Sequence, residues 1–121
     1  MDYEQGIIDA KASYPFQRWR SYYDGGLDQY TAANCEAAKR ILDDLISKLV
    51  MLGEDAEEVE KVSCFKYAIE ALNQLDAATG LIETGEAEEL CSLINTITLS
   101  VGLVPENYGD GEGLASEWRD W

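Results

Sequence analysis

The residues best suited to chemistry are carboxylates, which crowd into two short stretches of the sequence. Five lie at positions 54–60 and four at positions 83–89; they are Glu54, Asp55, Glu57, Glu58, Glu60, Glu83, Glu86, Glu88 and Glu89. Two carboxylates can act as general acid and base, but one of them then needs an apolar surrounding that raises its pKa. The helical spacing places these acids on polar faces, which favours a solvated acidic surface over a catalytic pair.

Other catalytic and metal sites lack their usual residues. The chain has no histidine, so its serines and cysteines have no imidazole base to activate them. Cys35, Cys64 and Cys91 lie far apart, which is typical of buried apolar residues and not of zinc ligands. The glycines at 109–113 fit neither a phosphate-binding loop nor an EF-hand. We therefore expect no enzymatic activity, no cofactor and no bound metal.

The net charge favours a binding function. The 121 residues include 24 acids and 9 bases, which gives a formal net charge of −15. Residues 51–121 hold 16 of these acids and only 3 of the bases, so −13 lies in the later part of the chain. Such a surface repels nucleic acid and anionic lipid and attracts basic proteins. We expect a basic protein partner, and neither direct nucleic-acid binding nor membrane binding.

A second candidate surface lies in PFQRWRSYY, residues 15–23. Arginine, tryptophan and tyrosine are the residue types that dominate binding hot spots. The spacing of Phe16, Trp19 and Tyr23 predicts a helix that turns these three side chains toward a core. The residues left facing away, which form the secondary candidate site, are Arg18, Arg20 and Tyr22.

Periodic apolar residues predict the helices that position these surfaces. The stretch 55–78 has the clearest pattern, and we expect it to organise the fold. Its apolar residues recur three or four positions apart and form one predicted core stripe: Val59, Val62, Phe65, Ile69, Leu72 and Leu75. A preceding helix begins at Asp28 or Thr31 and carries a wider stripe, which predicts neighbours on two sides. The cap of a following helix is predicted at Thr84, and this helix ends near Gly102.

These patterns predict an all-α fold, a single-domain bundle of four or five helices. We expect an N-terminal aromatic segment at residues 1–26, a three-helix core at 28–102 and a tail at 103–121, with a loop at 106–113. Most aromatic residues lie within the first thirty positions or the tail. We therefore expect both terminal segments to pack on the bundle.

The sequence also predicts a location in the cell. The N-terminal MDYEQGIIDA is acidic and its apolar run is too short for a signal peptide. No stretch approaches the roughly 20 apolar residues that a membrane-spanning helix requires. We predict that the protein is located in the reducing environment of the cytoplasm.

At TGEAEELC (residues 84–91) with its following aliphatic run, and again at the terminal EWRDW, the chain resembles small, acidic, helical immunity proteins of bacteria. Such proteins neutralise a toxin made by the same cell. The resemblance implies protein binding without catalysis and transfers no specific residue. Together with the charge, it predicts an immunity-type inhibitor whose acidic face occupies a basic toxin or nuclease.

Two other functions stay open at this point. One is a helical structural or oligomerisation subunit, including a homodimer held by the apolar stripe of residues 41–52. The other is a carboxylate-only enzyme or a small-ligand-binding protein, whose pocket would be lined by Trp19, Tyr23, Trp118 and Trp121. A deep pocket that contains a buried acid would favour this last class.

Overall fold

Three long α-helices, two short helices near the N-terminus and one C-terminal helical turn build the described part of the chain. The computed structural model describes residues 2–121, and that part of the chain contains no strand. The helices are α1 (Tyr3–Asp9), α2 (Phe16–Asp24), α3 (Ala32–Leu52), α4 (Glu58–Thr79), α5 (Thr84–Ser100) and α6 (Ala115–Trp118). Short 3₁₀ segments occupy Ala10–Ser13, Pro105–Asn107 and Gly109–Gly111. The predicted all-α bundle is confirmed.

The ends of α3 and α4 follow local capping signals. Thr31, one of the two predicted caps, accepts a hydrogen bond from the backbone N–H of Asn34 at 3.1 Å and starts α3. Gly53 ends α3 and Gly80 ends α4, at φ angles of 85° and 68° that glycine adopts without a steric penalty. Helix α4 begins at Glu58, three residues later than predicted, because residues 53–57 form the turn from α3.

The start of α5 differs from the prediction. Its N-cap is Glu83, and Thr84 is the first helical residue. The Glu86 side chain accepts a hydrogen bond from the backbone N–H of Glu83 at 3.1 Å, and the Glu83 side chain accepts one from the backbone N–H of Glu86. This reciprocal capping box satisfies two N–H groups that have no partner within the helix.

The core lies mainly between α3, α4 and α5. Its largest buried side chains from these helices are Leu42, Leu45, Leu49, Phe65, Ile69, Leu72, Leu90, Leu93 and Ile94. The predicted stripe of α4 holds at its centre but not at its start, since Val59 is 68% exposed. Because α4 begins only at Glu58, Val59 lies in its first turn, where Lys61 takes the inward position.

Lys61 is a buried residue that the hydrophobic pattern missed. Its side chain is almost fully enclosed, and Nζ donates hydrogen bonds to the backbone carbonyls of Glu54 and Val101, each at 2.9 Å. The ammonium also lies 5.4 Å from the centre of the Tyr3 ring. Val101 caps the C-terminal end of α5, where unpaired carbonyls carry partial negative charge. Lys61 thereby joins the α3–α4 turn, α5 and α1.

The N-terminal segment packs on the bundle through buried aromatic and polar contacts. Trp19 is completely buried and donates from Nε1 to Glu89 at 3.0 Å. The Tyr14 hydroxyl donates to Asp43 at 2.7 Å, and Lys39 pairs with the same carboxylate at 3.1 Å. Burial works to raise the pKa of Asp43, but the hydrogen bonds from Tyr14 and Lys39 and the charge of Lys11 hold it below its usual value.

The tail returns along α4 and α5, as the prediction of a packed tail requires. Asn73 of α4 donates to the Trp118 carbonyl and accepts from the Asp120 N–H, each at 2.9 Å. Gly113 has a φ of 122°, and a Cβ at this position would clash with the Asn95 side chain. The predicted loop at 106–113 thus contains two 3₁₀ turns that fit closely against the bundle.

Replacing Lys61 with methionine should destabilise the fold, although methionine fills a similar volume. The carbonyls of Glu54 and Val101 would lose their donor, and an unsatisfied buried acceptor costs about 1–3 kcal/mol. We expect the free energy of unfolding, measured by urea denaturation, to fall by roughly 2–3 kcal/mol. Lys66→Met, on the exposed side of the same helix, is the control. If both variants are equally stable, the buried ammonium is not a structural link.

Candidate acidic binding surfaces

The nine predicted acidic residues form two separate clusters. The α4-start cluster consists of Glu54, Asp55, Glu57, Glu58 and Glu60. The α5-start cluster consists of Glu83, Glu86, Glu88 and Glu89. Helix α4 runs for 22 residues between them and rises about 1.5 Å per residue, so the clusters lie about 30 Å apart. They do not form the single acidic face that the sequence predicted.

The α4-start cluster lies on the solvent-exposed surface. All five of its residues are exposed. Ion pairs between described residues use Glu36, Asp43, Asp44 and Glu89 as their acidic members, and none uses this cluster. The positive end of the α4 dipole stabilises acids only within the first turn. The negative field of the cluster is therefore directed mainly into the solvent.

Tyr108 brings further acids of the tail to this end of the bundle. Its hydroxyl donates a hydrogen bond to the Glu58 carboxylate. Burial, this hydrogen bond and the charge of Glu58 together raise the pKa of Tyr108 to about 12. Glu106 and Asp110, two residues to either side of Tyr108, are exposed and extend the acidic surface. Sequence reasoning missed this extension because the two bonded residues lie 50 positions apart.

Most residues of the α5-start cluster form hydrogen bonds or ion pairs within the chain. Glu86 is 6% exposed and closes the capping box. Burial and a hydrogen bond to Glu86 raise the pKa of the Tyr30 hydroxyl. Glu89 accepts from Trp19 and forms an ion pair with Arg18. The expectation that these acids lie on polar faces is wrong for Glu86, which is buried where its carboxylate closes the capping box at the start of α5.

The secondary candidate site, predicted as Arg18, Arg20 and Tyr22, differs in the structure from the prediction. Tyr22 is half-buried, with its ring 5.0 Å from that of Tyr30 in an edge-on arrangement, whereas Tyr23 is 46% exposed. The sequence assigned these two tyrosines the opposite way. Arg18 is held by Glu89. Of the three predicted residues, Arg20 alone is exposed with no ion pair to another described residue.

The aromatic ligand pocket considered from the sequence does not form. Trp19 is enclosed in the core and Tyr23 is on the surface. Trp118 and Trp121 pack against the core from the tail. Trp121 and Arg119 border an open cavity of about 760 Å³ at the start of α5. Because Glu86 at this cavity is already bound within the chain, the buried acid there is structural.

The three cysteines lie where a reactive thiolate is disfavoured. All three cysteines are unpaired thiols, of which Cys35 is buried and the others are half-buried. Burial raises the pKa of each thiol, which disfavours the reactive thiolate. Within residues 2–121, no group of three or more cysteines and acids is placed to hold a metal ion. No helix in the described chain has both the length and the apolar character needed to cross a bilayer.

No protein-family model, curated protein or solved structure matches this chain.

The Tyr108–Glu58 contact predicts a specific titration. A tyrosine whose pKa is raised from 10.0 to about 12 by folding stabilises the fold below about pH 10, and this contribution is lost as the pH rises through 12. Glu58→Gln should lower the pKa of Tyr108 toward 10.0, because a negative charge and a strong acceptor are removed. The tyrosinate absorbance is followed against pH for the unmodified protein and for each glutamine variant. Subtracting the curve of the same protein with Tyr108→Phe leaves the titration of Tyr108 alone. Glu57→Gln should leave the value unchanged; an equal shift in both variants contradicts the assigned contact.

Proposed function

We propose that the protein is an acidic, non-catalytic binding module of the immunity type, which engages a basic partner such as a toxin or nuclease through the α4-start cluster. The observation that supports this function is that no described residue forms an ion pair with this cluster. Five exposed carboxylates at one end of the bundle have no basic partner among the described residues, whereas Asp43, Asp44 and Glu89 elsewhere do.

Binding would begin with electrostatic steering. Net charge accelerates the encounter between opposite surfaces, and salt screens this attraction over about 8–10 Å at physiological ionic strength. A nuclease needs a basic cleft for the phosphates of its substrate. An acidic cluster that occupies such a cleft excludes the substrate by charge and by volume. Inhibition of this kind requires no catalytic group from the acidic protein.

The helical-dimer alternative receives less support from the packing. Its proposed seam, the apolar stripe of α3, includes Leu42, Leu45 and Leu49, and all three are buried within one chain. The net charge of −15 also works against the association of two copies. Most of the large apolar residues that remain exposed lie outside α3, among them Tyr23, Val59 and Val104.

The partner is tested first by capture. The immobilised protein should retain a basic protein from an extract of the source cells at low salt and release it as the salt rises. The activity of that purified partner should fall when the acidic protein is added. A partner whose capture is insensitive to salt, or the lack of any basic partner, contradicts the proposed function.

A charge reversal then tests which end of the bundle binds. Glu57→Lys and Glu88→Lys change the net charge equally, but only Glu57 belongs to the α4-start cluster. We expect Glu57→Lys to weaken binding of the captured partner roughly tenfold at low salt, mainly through slower association, and to reduce the salt dependence. Glu88→Lys should have a much smaller effect, as measured by surface plasmon resonance. Equal losses would show that net charge, and not this cluster, determines binding.

A further inference from the structure

A shallow apolar groove runs along the outer surface between α3 and α4, next to the α4-start cluster. Its volume is about 510 Å³. The residues that line it are Lys48, Leu52, Val59, Glu60, Ser63, Cys64 and Tyr67. The groove is separate from the cavity at the start of α5 and contains none of the buried acids.

Two apolar residues that line this groove are exposed. Val59 is 68% exposed and Tyr67 61%; Met51, beside Leu52 in the sequence but not part of the lining, is 86% exposed. Single exposed apolar residues are ordinary on protein surfaces. Several around one groove with a polar rim are typical of an interaction site.

The α3 side of the groove is ordered by contacts within the chain. Asp44 pairs with Lys48 at 3.0 Å, and the Lys48 ammonium lies 3.7 Å from the centre of the Tyr67 ring. This cation–π contact fixes the ring against the α3 side of the groove. A side chain that is already ordered loses less entropy on binding, so Tyr67 is a suitable anchor.

The charge around the groove defines the chemistry of its occupant. Glu60 lies on the rim, and Glu57 is on the adjoining turn in the α4-start cluster. The charges of Asp44 and Glu60 also reach the Cys64 thiol within the groove; burial is the main cause of its raised pKa, Lys48 opposes the increase, and both carboxylates add to it. Lys48, the basic residue in the lining, is already paired with Asp44 and lies over the Tyr67 ring, so the acids are the charges left for a ligand. A complementary ligand must therefore combine an apolar face with positive charge.

The shape of the groove favours a helix. Val59 and Tyr67 are eight residues apart on α4, a rise of about 12 Å. Apolar residues at positions i and i+7 of a docked helix lie on one face about 10 Å apart, which is close to that distance. Addition of a strand needs an exposed sheet edge, and residues 2–121 contain no strand.

We infer that this groove is the docking site for a cationic amphipathic helix of the basic partner. The apolar face of that helix would cover Val59 and Tyr67, while its lysines or arginines would lie beside Glu57 and Glu60. This inference rests on the proposed function and deepens it. The acidic cluster accelerates the encounter, and the groove provides the contacts that keep the complex together.

Two synthetic peptides test the docking site directly. One is an amphipathic helix of about four turns built from leucine and lysine, and the other has the same length and charge but serine in place of leucine. Their binding to the intact protein is followed by fluorescence anisotropy. We expect the leucine–lysine peptide to bind at least tenfold more tightly than the serine–lysine peptide.

Matched valine variants locate the contact. Val59→Ser should weaken binding of the leucine–lysine peptide about tenfold, because a central apolar contact is lost. Val104→Ser is the control, since Val104 is also exposed but lies outside the groove. The Val104→Ser variant should bind the leucine–lysine peptide with the same affinity as the unmodified protein. Thermal unfolding of both variants verifies that the fold is retained.

The outcomes separate the groove from the acidic cluster. If both peptides bind equally and only Glu57→Lys weakens them, the docking site is wrong while the acidic surface retains its support. If Val59→Ser and Val104→Ser have the same effect, the docking site is also wrong. No binding of the leucine–lysine peptide likewise overturns it, whereas the proposed function is decided separately by capture of a basic partner.

Discussion

The arrangement of the acidic end depends on one buried cation. The Lys61 ammonium has no carboxylate partner among residues 2–121 and is held by the carbonyls of Glu54 and Val101. It lies at the start of α4, where the helix dipole is unfavourable to a positive charge, but also at the negative end of α5. Because the Glu54 carbonyl binds inward to this ammonium, the turn before α4 is fixed and its carboxylates remain exposed. The core contact therefore sets the position of the proposed binding surface.

The two acidic clusters show that the same residue type at similar helical positions can have different roles. In the α5-start cluster, Glu86 completes a capping box and Glu89 binds Trp19 and Arg18, so these acids stabilise the fold. In the α4-start cluster, repulsion between neighbouring carboxylates is not offset by any ion pair within the described chain. Helix-dipole stabilisation accounts for acids in one turn, but not for five. A basic partner would offset the remainder.

Local patterns in the sequence predicted the helices but not the contacts between them. Thr31 and the central α4 residues Phe65, Ile69 and Leu72 follow from capping and periodicity, which depend on neighbours within a few positions. Glu86 was missed because the sequence assigned the cap to Thr84 and not to the reciprocal pair of Glu83 and Glu86. Lys61 was missed because no periodicity rule includes tertiary hydrogen bonds, and one of its two acceptors lies 40 residues away. The separation of the acidic clusters likewise follows only from the length and direction of α4.

The error at Val59 is informative about function. Its spacing fits the core stripe of α4, yet the fold leaves it on the surface beside Tyr67 and the acidic cluster. Charges on the rim of an interface mainly change the rate of association, whereas buried apolar contacts mainly change the rate of dissociation. An acidic surface alone would bind many basic molecules briefly. The adjoining groove supplies shape and apolar area, so it would distinguish a cationic amphipathic helix from a simple polycation. It would also prolong the lifetime of the complex with such a helix.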